Sequence, residues 1–503
     1  MRVMPFIDTL PFALYRAEQV REFDRIAIEE FSIPGEALME RAGARAFEAI
    51  QHRWPGIGEI VVVCGLGNNG GDGYVVARLA LQAGFRVRVL QLGDEEKIKG
   101  DALIKARAWQ DLGQDIEPYQ GLPGKPSLIV DAILGTGLER EVMGSWRSAI
   151  EQINQHQTPV FALDIPSGLH ADSGSVLGVA VKAEATISFI GLKQGMFTGD
   201  GPEYCGDISF DALEVPAQLY SRQLLACRRI NWQKAVNQIP KRDRSSHKGD
   251  FGHLLVAGGD TGYSGAVRMA GEGAARSGAG LVTLATHPQH APWSNIGRPE
   301  LMCRGVTDEA SVGLLLDRVD GVVLGPGLGR SVWSEMLFNA VTRTGLPLLM
   351  DADALYWLKR YPARRDNWIL TPHPGEAARL LGWETKQVQS DRFAACEALQ
   401  QRYGGVTVLK GAGTLVGSDG NQAVALCSDG NPGMASGGSG DVLSGVIGAF
   451  LVQGYPLREA AELGVCLHAA AGDQAAIEGE IGMLAGDLIE ALRPTLNLEL
   501  RND

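Results

Sequence analysis

Near the end of the chain, Asn431-Pro432-Gly433-Met434-Ala435-Ser436-Gly437-Gly438-Ser439-Gly440-Asp441 runs directly into the apolar stretch Val442 to Leu451. A glycine-rich turn that opens a helix leaves several backbone N–H groups unpaired at the positive end of the helix dipole, which suits a phosphate. Asp441 falls in the first turn of that helix. A carboxylate beside an anion site weakens plain anion binding, yet it can take the proton of an attacking hydroxyl, so the pairing suits phosphoryl transfer. The competing reading is a glycine turn with an ordinary helix cap, because short glycine motifs recur without function.

Other loops in this half follow strand-like runs and carry chemistry of the same kind. Gly325-Pro326-Gly327-Leu328-Gly329 lets backbone approach a ligand closely. Asp351-Ala352-Asp353-Ala354-Leu355 places two acids, of which Asp353 starts a helix and reads as a cap. In Thr371-Pro372-His373-Pro374-Gly375-Glu376, His373 is held stiffly between two prolines, which favours a ligand contact over a core histidine. Lys410-Gly411-Ala412-Gly413-Thr414 offers a charge and a hydroxyl to a nucleotide phosphate. Converging with Gly440 and Asp441 on one sheet edge, these loops specify phosphoryl transfer far more narrowly than any one of them.

The first half carries Gly65-Leu66-Gly67-Asn68-Asn69-Gly70-Gly71-Asp72-Gly73. A dinucleotide fingerprint can be traced through Gly65, Gly67 and Gly70, but the acid expected about 20 residues later is not convincingly placed. Gln91 ends the next strand, and Asp94 follows it. The two asparagines and the aspartate point instead to specific polar recognition, and amide oxygens also suit a cation. Asp131 and Ser167, each near the end of a different strand, meet the same edge. Oxygen donors that are neutral or singly charged fit a weakly held monovalent ion better than a divalent one; helix and turn capping is the other reading.

These residues need elements to hold them. The runs Glu59 to Cys64, Phe85 to Gln91, Ser127 to Leu134 and Pro159 to Asp164 read as buried strands, with a helix from Tyr74 to Ala83. Gly65 to Gly73, Gly135 to Gly137 and Ile165 to Gly168 read as strand-end loops. Strand patterning lapses between about Val215 and Lys248. It resumes with His253 to Ala257, Gly280 to Thr286, Gly321 to Leu324, Pro347 to Met350, Trp368 to Leu370 and Val406 to Leu409. Alternating strands and helices imply parallel sheets covered on both faces, whose carboxyl-end loops build the sites. At 503 residues the chain exceeds one ordinary core. The expectation is two α/β domains, 1–225 and 226–503.

Composition narrows the function. The 46 basic and 59 acidic residues give a net charge of −13, which argues against non-specific nucleic-acid binding and against an anionic membrane surface. The seven cysteines are scattered without a CxxC pair, so neither a zinc site nor a disulfide framework is expected. Asp8 and two prolines interrupt the apolar start, and no run reaches the roughly 18 apolar residues of a membrane span. The expected location is the cytoplasm.

Both halves resemble known domains. The ordered set DxDAL, TPHPGE, VLKGAGT and NPGMASGGSGDVLSG resembles the ribokinase-like domain of ADP/ATP-dependent NAD(P)H-hydrate dehydratases, as do Lys248 to Gly252 and Ser277 to Val282. Leu38 to Gly43, GLGNNGGDG, VDAILGTG, DIPSG and Gly191 to Gly195 resemble the NAD(P)H-hydrate epimerase, or YjeF N-terminal, domain, a Rossmann-like three-layer αβα fold. The resemblance runs from about Tyr15 to about Leu492, and no motif position departs from it. The fused order is similar to bifunctional bacterial nicotinamide-repair enzymes.

The resemblance implies a reaction and a set of residues. Hydrated NADH or NADPH carries a hydroxyl on the carbon beside the ring nitrogen; ADP or ATP, with Mg2+, phosphorylates it, and the nitrogen lone pair expels phosphate. Asp441 would be the base, Gly440 would stabilise the transferring phosphoryl, and Lys410, Gly411, Ala412, Gly413 and Thr414 would bind the nucleotide. Ala266, Gly327 and His373, with Asp441, would line the hydrated nicotinamide. In the epimerase domain, Asn68, Asn69, Gly70, Gly71, Asp72, Gly135, Thr136, Gly137, Leu138, Glu139, Arg140, Glu141 and Asp164 would bind substrate. Asn69, Asp131 and Ser167 would hold K+, Asp164 would handle protons, and Lys193 is a second candidate for that role. Members of the family assemble into homo-oligomers.

Two other classes each account for one half of these residues. A small-molecule kinase would explain the second half and accumulate a phosphomonoester, whereas dehydration frees phosphate. A non-enzymatic ligand-binding scaffold would explain the first half and would be untouched by Asp164→Ala.

Overall fold

The computed structural model describes residues 10–419 and 422–498. The first nine residues of the apolar start lie outside them. The chain divides into two compact units, one ending at Arg228 and the other beginning at Arg229.

The first unit is built on a seven-stranded sheet. Its order is Ile116–Pro118, Arg86–Gln91, Glu59–Cys64, Leu128–Ala132, Val160–Leu163, Ala185–Phe189 and Asp207–Asp211, and every neighbouring pair is parallel. From Glu59–Cys64 the chain winds first to one side and then, through Leu128–Ala132, to the other. Doubly wound sheets bind ligands in the crevice at such a reversal. The strand Glu59–Cys64 has no polar face: Ile60, Val62 and Cys64 pack among Ala46, Phe47 and Ile50 on one side, and Val61 and Val63 pack against Ile150 and Ile153 on the other. This continuous apolar run is what helices on both faces demand.

The dense glycine of the first motif predicts a loop, but a helix forms over most of it. The segment Gly65 to Gly73 is not all loop: Gly67 is the N-cap, and a helix runs over Asn68–Gln82. Its glycines serve close packing rather than turns. A Cβ on Gly70 would lie 2.2 Å from the Gly65 carbonyl oxygen, and one on Gly71 would lie 2.4 Å from the Met39 sulfur. One on Gly73 would lie 2.6 Å from the Ala132 Cβ. The helix start is thereby pressed onto the sheet edge, and Asn68, Asn69 and Asp72 are carried on rigid backbone.

The second unit repeats the scheme. Its sheet runs Val424–Cys427, Thr414–Ser418, Val406–Leu409, Trp368–Leu370, Leu348–Met350, Gly321–Leu324, His253–Ala257, Leu281–Thr286 and Met302–Gly305. The pairs from Val406–Leu409 to Met302–Gly305 are parallel, and Thr414–Ser418 pairs antiparallel with both Val406–Leu409 and Val424–Cys427. The winding reverses between His253–Ala257 and Gly321–Leu324. The helix Ser439–Val452 lies against this sheet and is buried on nearly all sides, which is why its sequence lacks a polar face. The short strands Ile116–Pro118, Met302–Gly305 and Asp207–Asp211 escape sequence reading because they are half-exposed edges without an apolar run.

Among the described residues no helix is long and apolar enough to cross a membrane. All seven cysteines are free thiols, six of them buried.

Candidate active sites

At the reversal in the first sheet lies a cavity of about 740 Å³. Its wall includes Asn68, Asn69 and Asp72 from the glycine-rich helix start, Gly135 to Arg140 from the loop after Leu128–Ala132, and Asp164 from the end of Val160–Leu163. Gly70, Gly71 and Glu141 do not line it. Asp164 has φ +65°, in the left-handed region. A non-glycine residue held there costs of order 1–3 kcal/mol, a strain found where a side chain must be aimed at a site. The aim here is an ion pair with Lys193, whose ammonium also donates to Ser188 Oγ at 2.9 Å and to the Phe189 carbonyl at 3.3 Å. Lys193 is wholly buried. It stands behind Asp164 instead of lining the cavity.

Of the other carboxyls on the cavity wall, Asp72 and Asp24 have no hydrogen-bond partner among the described residues and are the two whose protons burial holds. Burial pushes Asp72 well above the ordinary carboxyl range, with the charges of Asp164 and Asp24 adding to the shift and Lys193 opposing it. Burial likewise raises Asp24 to about 6, with Asp164 adding and Lys193 opposing. Asp24 is absent from the sequence reading. Its only signal is the helical stripe Val20, Asp24 and Ile28, in which one acid interrupts apolar residues four apart.

Beneath the cavity, Asn69, Asp131 and Ser167 meet around the backbone of Leu134. Asn69 Nδ2 donates to the Leu134 carbonyl at 3.1 Å, and Ser167 Oγ lies 3.1 Å from the same oxygen. Ser167 Oγ donates to Asp131 Oδ1 at 2.6 Å, and the Ser167 N–H donates to Asp131 Oδ2 at 2.8 Å. Asp131 is fully buried. Burial raises its carboxyl to about 6, and the bonds from Ser167 and Ile133 oppose that shift. Asn69 Oδ1 is buried with no hydrogen-bond partner. An orphaned amide oxygen costs roughly 1–3 kcal/mol unless something binds it.

In the second unit the strand-end loops gather around Lys410. Its ammonium lies 2.6 Å from Asp351 Oδ1 and 3.8 Å from Glu376 Oε2. Ser444 donates to the second Asp351 oxygen at 2.7 Å. Ala352, with φ +49°, turns the chain between Asp351 and the helix Asp353–Arg360. Burial works against the Lys410 charge, but Asp351 and Glu376 more than offset it, and its pKa ends above the ordinary lysine value. Lys410 is thus the counter-charge of an acidic cluster.

Asp441 opens the helix Ser439–Val452 after Gly438, which has φ +94°. Burial pushes its carboxyl up to about 7, with Asp351 adding and Lys410 opposing. A Cβ on Gly440 would lie 3.4 Å from Lys410 Nζ, so the glycine brings the helix start beside that ammonium. His468 fixes this start from behind, its Nε2 2.9 Å from the Ser439 carbonyl. Burial pushes His468 down to about 4, so it donates there as neutral imidazole.

His373 caps the helix Pro374–Leu381: its Nδ1 accepts from the Gly375 N–H at 3.0 Å, and its Nε2 lies 3.5 Å from Glu376 Oε1. Its ring is half exposed. Gly327 meets Ala266, since a Cβ on Gly327 would lie 3.1 Å from the Ala266 Cβ and 2.5 Å from the Tyr263 carbonyl. Gly411, Ala412 and Gly413 form the turn into the strand Thr414–Ser418. The buried Arg392 fastens it, donating to the carbonyls of Leu409 and Lys410 at 3.2 Å and of Gly413 at 3.4 Å. Arg392 lies in no motif, so only the fold brings it to the loop.

This arrangement suits removal of a hydroxyl proton by Asp441 beside a helix N-terminus in one unit, and proton exchange among carboxyls in the other. A family model described as NAD(P)H-hydrate dehydratase matches residues 254–494, and one described as YjeF-related protein N-terminus matches residues 35–195. The chain is 48% identical over 486 residues to the bifunctional NAD(P)H-hydrate repair enzyme Nnr of Coxiella burnetii, covering 96% of this chain and 99% of that one. It is 41% identical over 494 residues to the enzyme of the same name from Escherichia coli, covering 98% and 95%. A ribokinase-like superfamily protein from Enterococcus faecalis is 27% identical, with a TM-score of 0.50 over 55% of this chain and 98% of that one. Similarity over nearly the whole length, through both units, means that the chain belongs to the family of bifunctional NAD(P)H-hydrate repair enzymes.

Proposed function

We propose that residues 1–225 interconvert the R and S forms of hydrated NADH and NADPH. Residues 226–503 dehydrate the S form at the expense of ADP or ATP. The observation that carries the dehydratase reading is the placement of Asp441 on the first turn of a glycine-capped helix, beside the Lys410–Asp351 pair. A carboxyl near 7 is a usable base at neutral pH. Asp441 takes the proton of the ring hydroxyl as its oxygen attacks the terminal phosphorus. The free N–H groups around Gly440 receive the developing charge. The ring nitrogen lone pair then expels phosphate and restores the dihydronicotinamide. Ala266, Gly327 and His373 border the nicotinamide, and the turn Lys410 to Thr414 borders the nucleotide.

Mg2+ fits as an ion carried on the nucleotide phosphates, where it neutralises their charge. No all-protein cluster of metal-binding side chains occurs among the described residues, and Asp351, Glu376 and Asp441 are the carboxylates at hand. K+ fits the first unit: the orphaned Asn69 Oδ1, Ser167 Oγ and the Asp131 carboxylate supply oxygen donors of low total charge. There it would fix the loop at Leu134 and so the wall formed by Gly135 to Arg140. Asn68, Asp72 and Asp164 hold the hydrated ring in that cavity. The protein works as a cytoplasmic homo-oligomer.

The test is recovery of dihydronicotinamide absorbance from a mixture of both hydrated epimers with ADP and Mg2+. Full recovery is expected. A stop at the fraction of the S epimer would sink the epimerase assignment, and phosphorylated substrate without recovery would make the second unit a kinase.

A further inference from the structure

Asp24 faces the epimerase cavity. Helix Ala17–Glu29 turns one stripe, Val20, Asp24 and Ile28, to that wall, while Phe23 and Ala27 beside it are wholly buried in the core. The carboxyl of Asp24 makes no hydrogen bond and no ion pair with any described residue. A carboxyl left without a protein partner on a cavity wall is either wasted or meant for what enters the cavity. The charged groups facing it come from separate elements: Asp72 from the helix Asn68–Gln82, Asp164 from the end of the strand Val160–Leu163, and Lys193 behind Asp164. Arg21, one turn earlier on the same wall, donates to the Thr136 carbonyl at 3.3 Å rather than to Asp24.

We propose that Asp24 is a catalytic acid–base residue of the epimerisation, working across the substrate from Asp164. This rests on the epimerase reading of the first unit. Epimerisation through loss of the ring hydroxyl delivers a proton on one face of the ring carbon and removes one on the other, which calls for two groups held on different elements. Asp24 donates its proton to the ring hydroxyl; the carbon–oxygen bond breaks with its electrons on oxygen, and the ring nitrogen lone pair forms the carbon–nitrogen double bond. Water then adds to the opposite face and gives its proton to Asp164. The product is the inverted hydrate, and the proton has moved from Asp24 to Asp164, which prepares the site for the opposite epimer. No oxidant or co-substrate is needed. Lys193, ion-paired to Asp164, holds that carboxylate in position. Burial and the neighbouring acids keep Asp24 protonated to higher pH than a free aspartate, as an acid requires.

The test uses the full-length protein and the isolated R form without nucleotide, with chromatographic separation of the epimers. Asp24→Asn should lower kcat by about 10²- to 10⁴-fold with KM little changed, and should flatten the limb of the pH profile near 6. Asp24→Glu, which keeps the acid, should recover part of kcat with that limb displaced. The product should carry one oxygen from 18O-labelled water. Dehydration of the S form with ADP should be unchanged in both variants, which shows that the chain is folded. An Asp24→Asn kcat within threefold of wild type, or a loss confined to KM, would overturn the catalytic role. Absence of label would overturn the water-loss step. Failure of the wild type to epimerise would instead remove the reading on which the role rests.

Discussion

Lys410 Nζ lies 2.6 Å from Asp351 Oδ1, and the other oxygen of Asp351 is held by Ser444 from the helix that carries Asp441. One buried ion pair therefore ties the turn after Val406–Leu409, the end of Leu348–Met350 and the helix Ser439–Val452 into a single unit. Breaking a buried pair on one side leaves an uncompensated charge and costs roughly 3–5 kcal/mol. Lys410→Met should lower the Tm of the second unit in calorimetry. It should also shift the pH limb assigned to Asp441 above 7, because Lys410 is the group that holds that carboxyl down.

Asp441→Asn should reduce S-form dehydration by about 10²- to 10⁴-fold and leave epimerisation intact, as read by the two separate assays. In the wild type, dehydration should rise with pH through about 7 as the base ionises. Stability runs the other way. The folded carboxyl sits near 7, against 3.8 for an ordinary aspartate, so between those values the folded state holds a proton that the unfolded state has lost. Its contribution is fully present below 3.8 and is lost as pH rises through 7. Asp441→Asn should accordingly have a higher Tm than wild type at pH 8, and a difference close to zero at pH 4.

Asp131→Asn removes the one charged member of the oxygen set around Leu134 while keeping its shape. If those donors hold K+, losing a charge-assisted contact of about 1.5–3 kcal/mol should raise the K+ concentration for half-maximal epimerisation roughly ten- to hundredfold. Titration of the R-to-S rate with KCl, against choline chloride at equal ionic strength, measures this. An equal rate in choline and K+ for the wild type would exclude the ion.

Gly73→Ala tests the close approach of the glycine-rich helix to its sheet. The new Cβ would lie 2.6 Å from the Ala132 Cβ and 2.9 Å from Cys64 Sγ, so backbone must shift. Overpacking of this kind costs about 1–3 kcal/mol. The expected result is a lower Tm for the first unit, with dehydration by the second unit unchanged.

Contiguous motifs were legible because their chemistry and their backbone geometry lie in the same few residues. Gly438 to Asp441 announces a helix start with a carboxyl on it wherever it is placed, and strand-end loops share one sheet edge by the rule of parallel sheets. That reasoning extends to Asp131 and Ser167, which meet through the register of neighbouring strands. It fails for Asn68 to Gly73, where dense glycine reads as loop. Those glycines admit the Gly65 carbonyl and, from remote chain, Met39 and Ala132. Asp24 and Arg392 carry no motif: Asp24 reaches the cavity wall, and Arg392 the carbonyls it holds, only when a distant helix is packed in place. Sequence alone therefore determined the two-unit α/β architecture and the residue types that each motif brings to its sheet edge. Tertiary structure decided which acids share a cavity, which ammonium neutralises them and where their protons rest, because burial and the fields of neighbouring charges exist only in the folded chain.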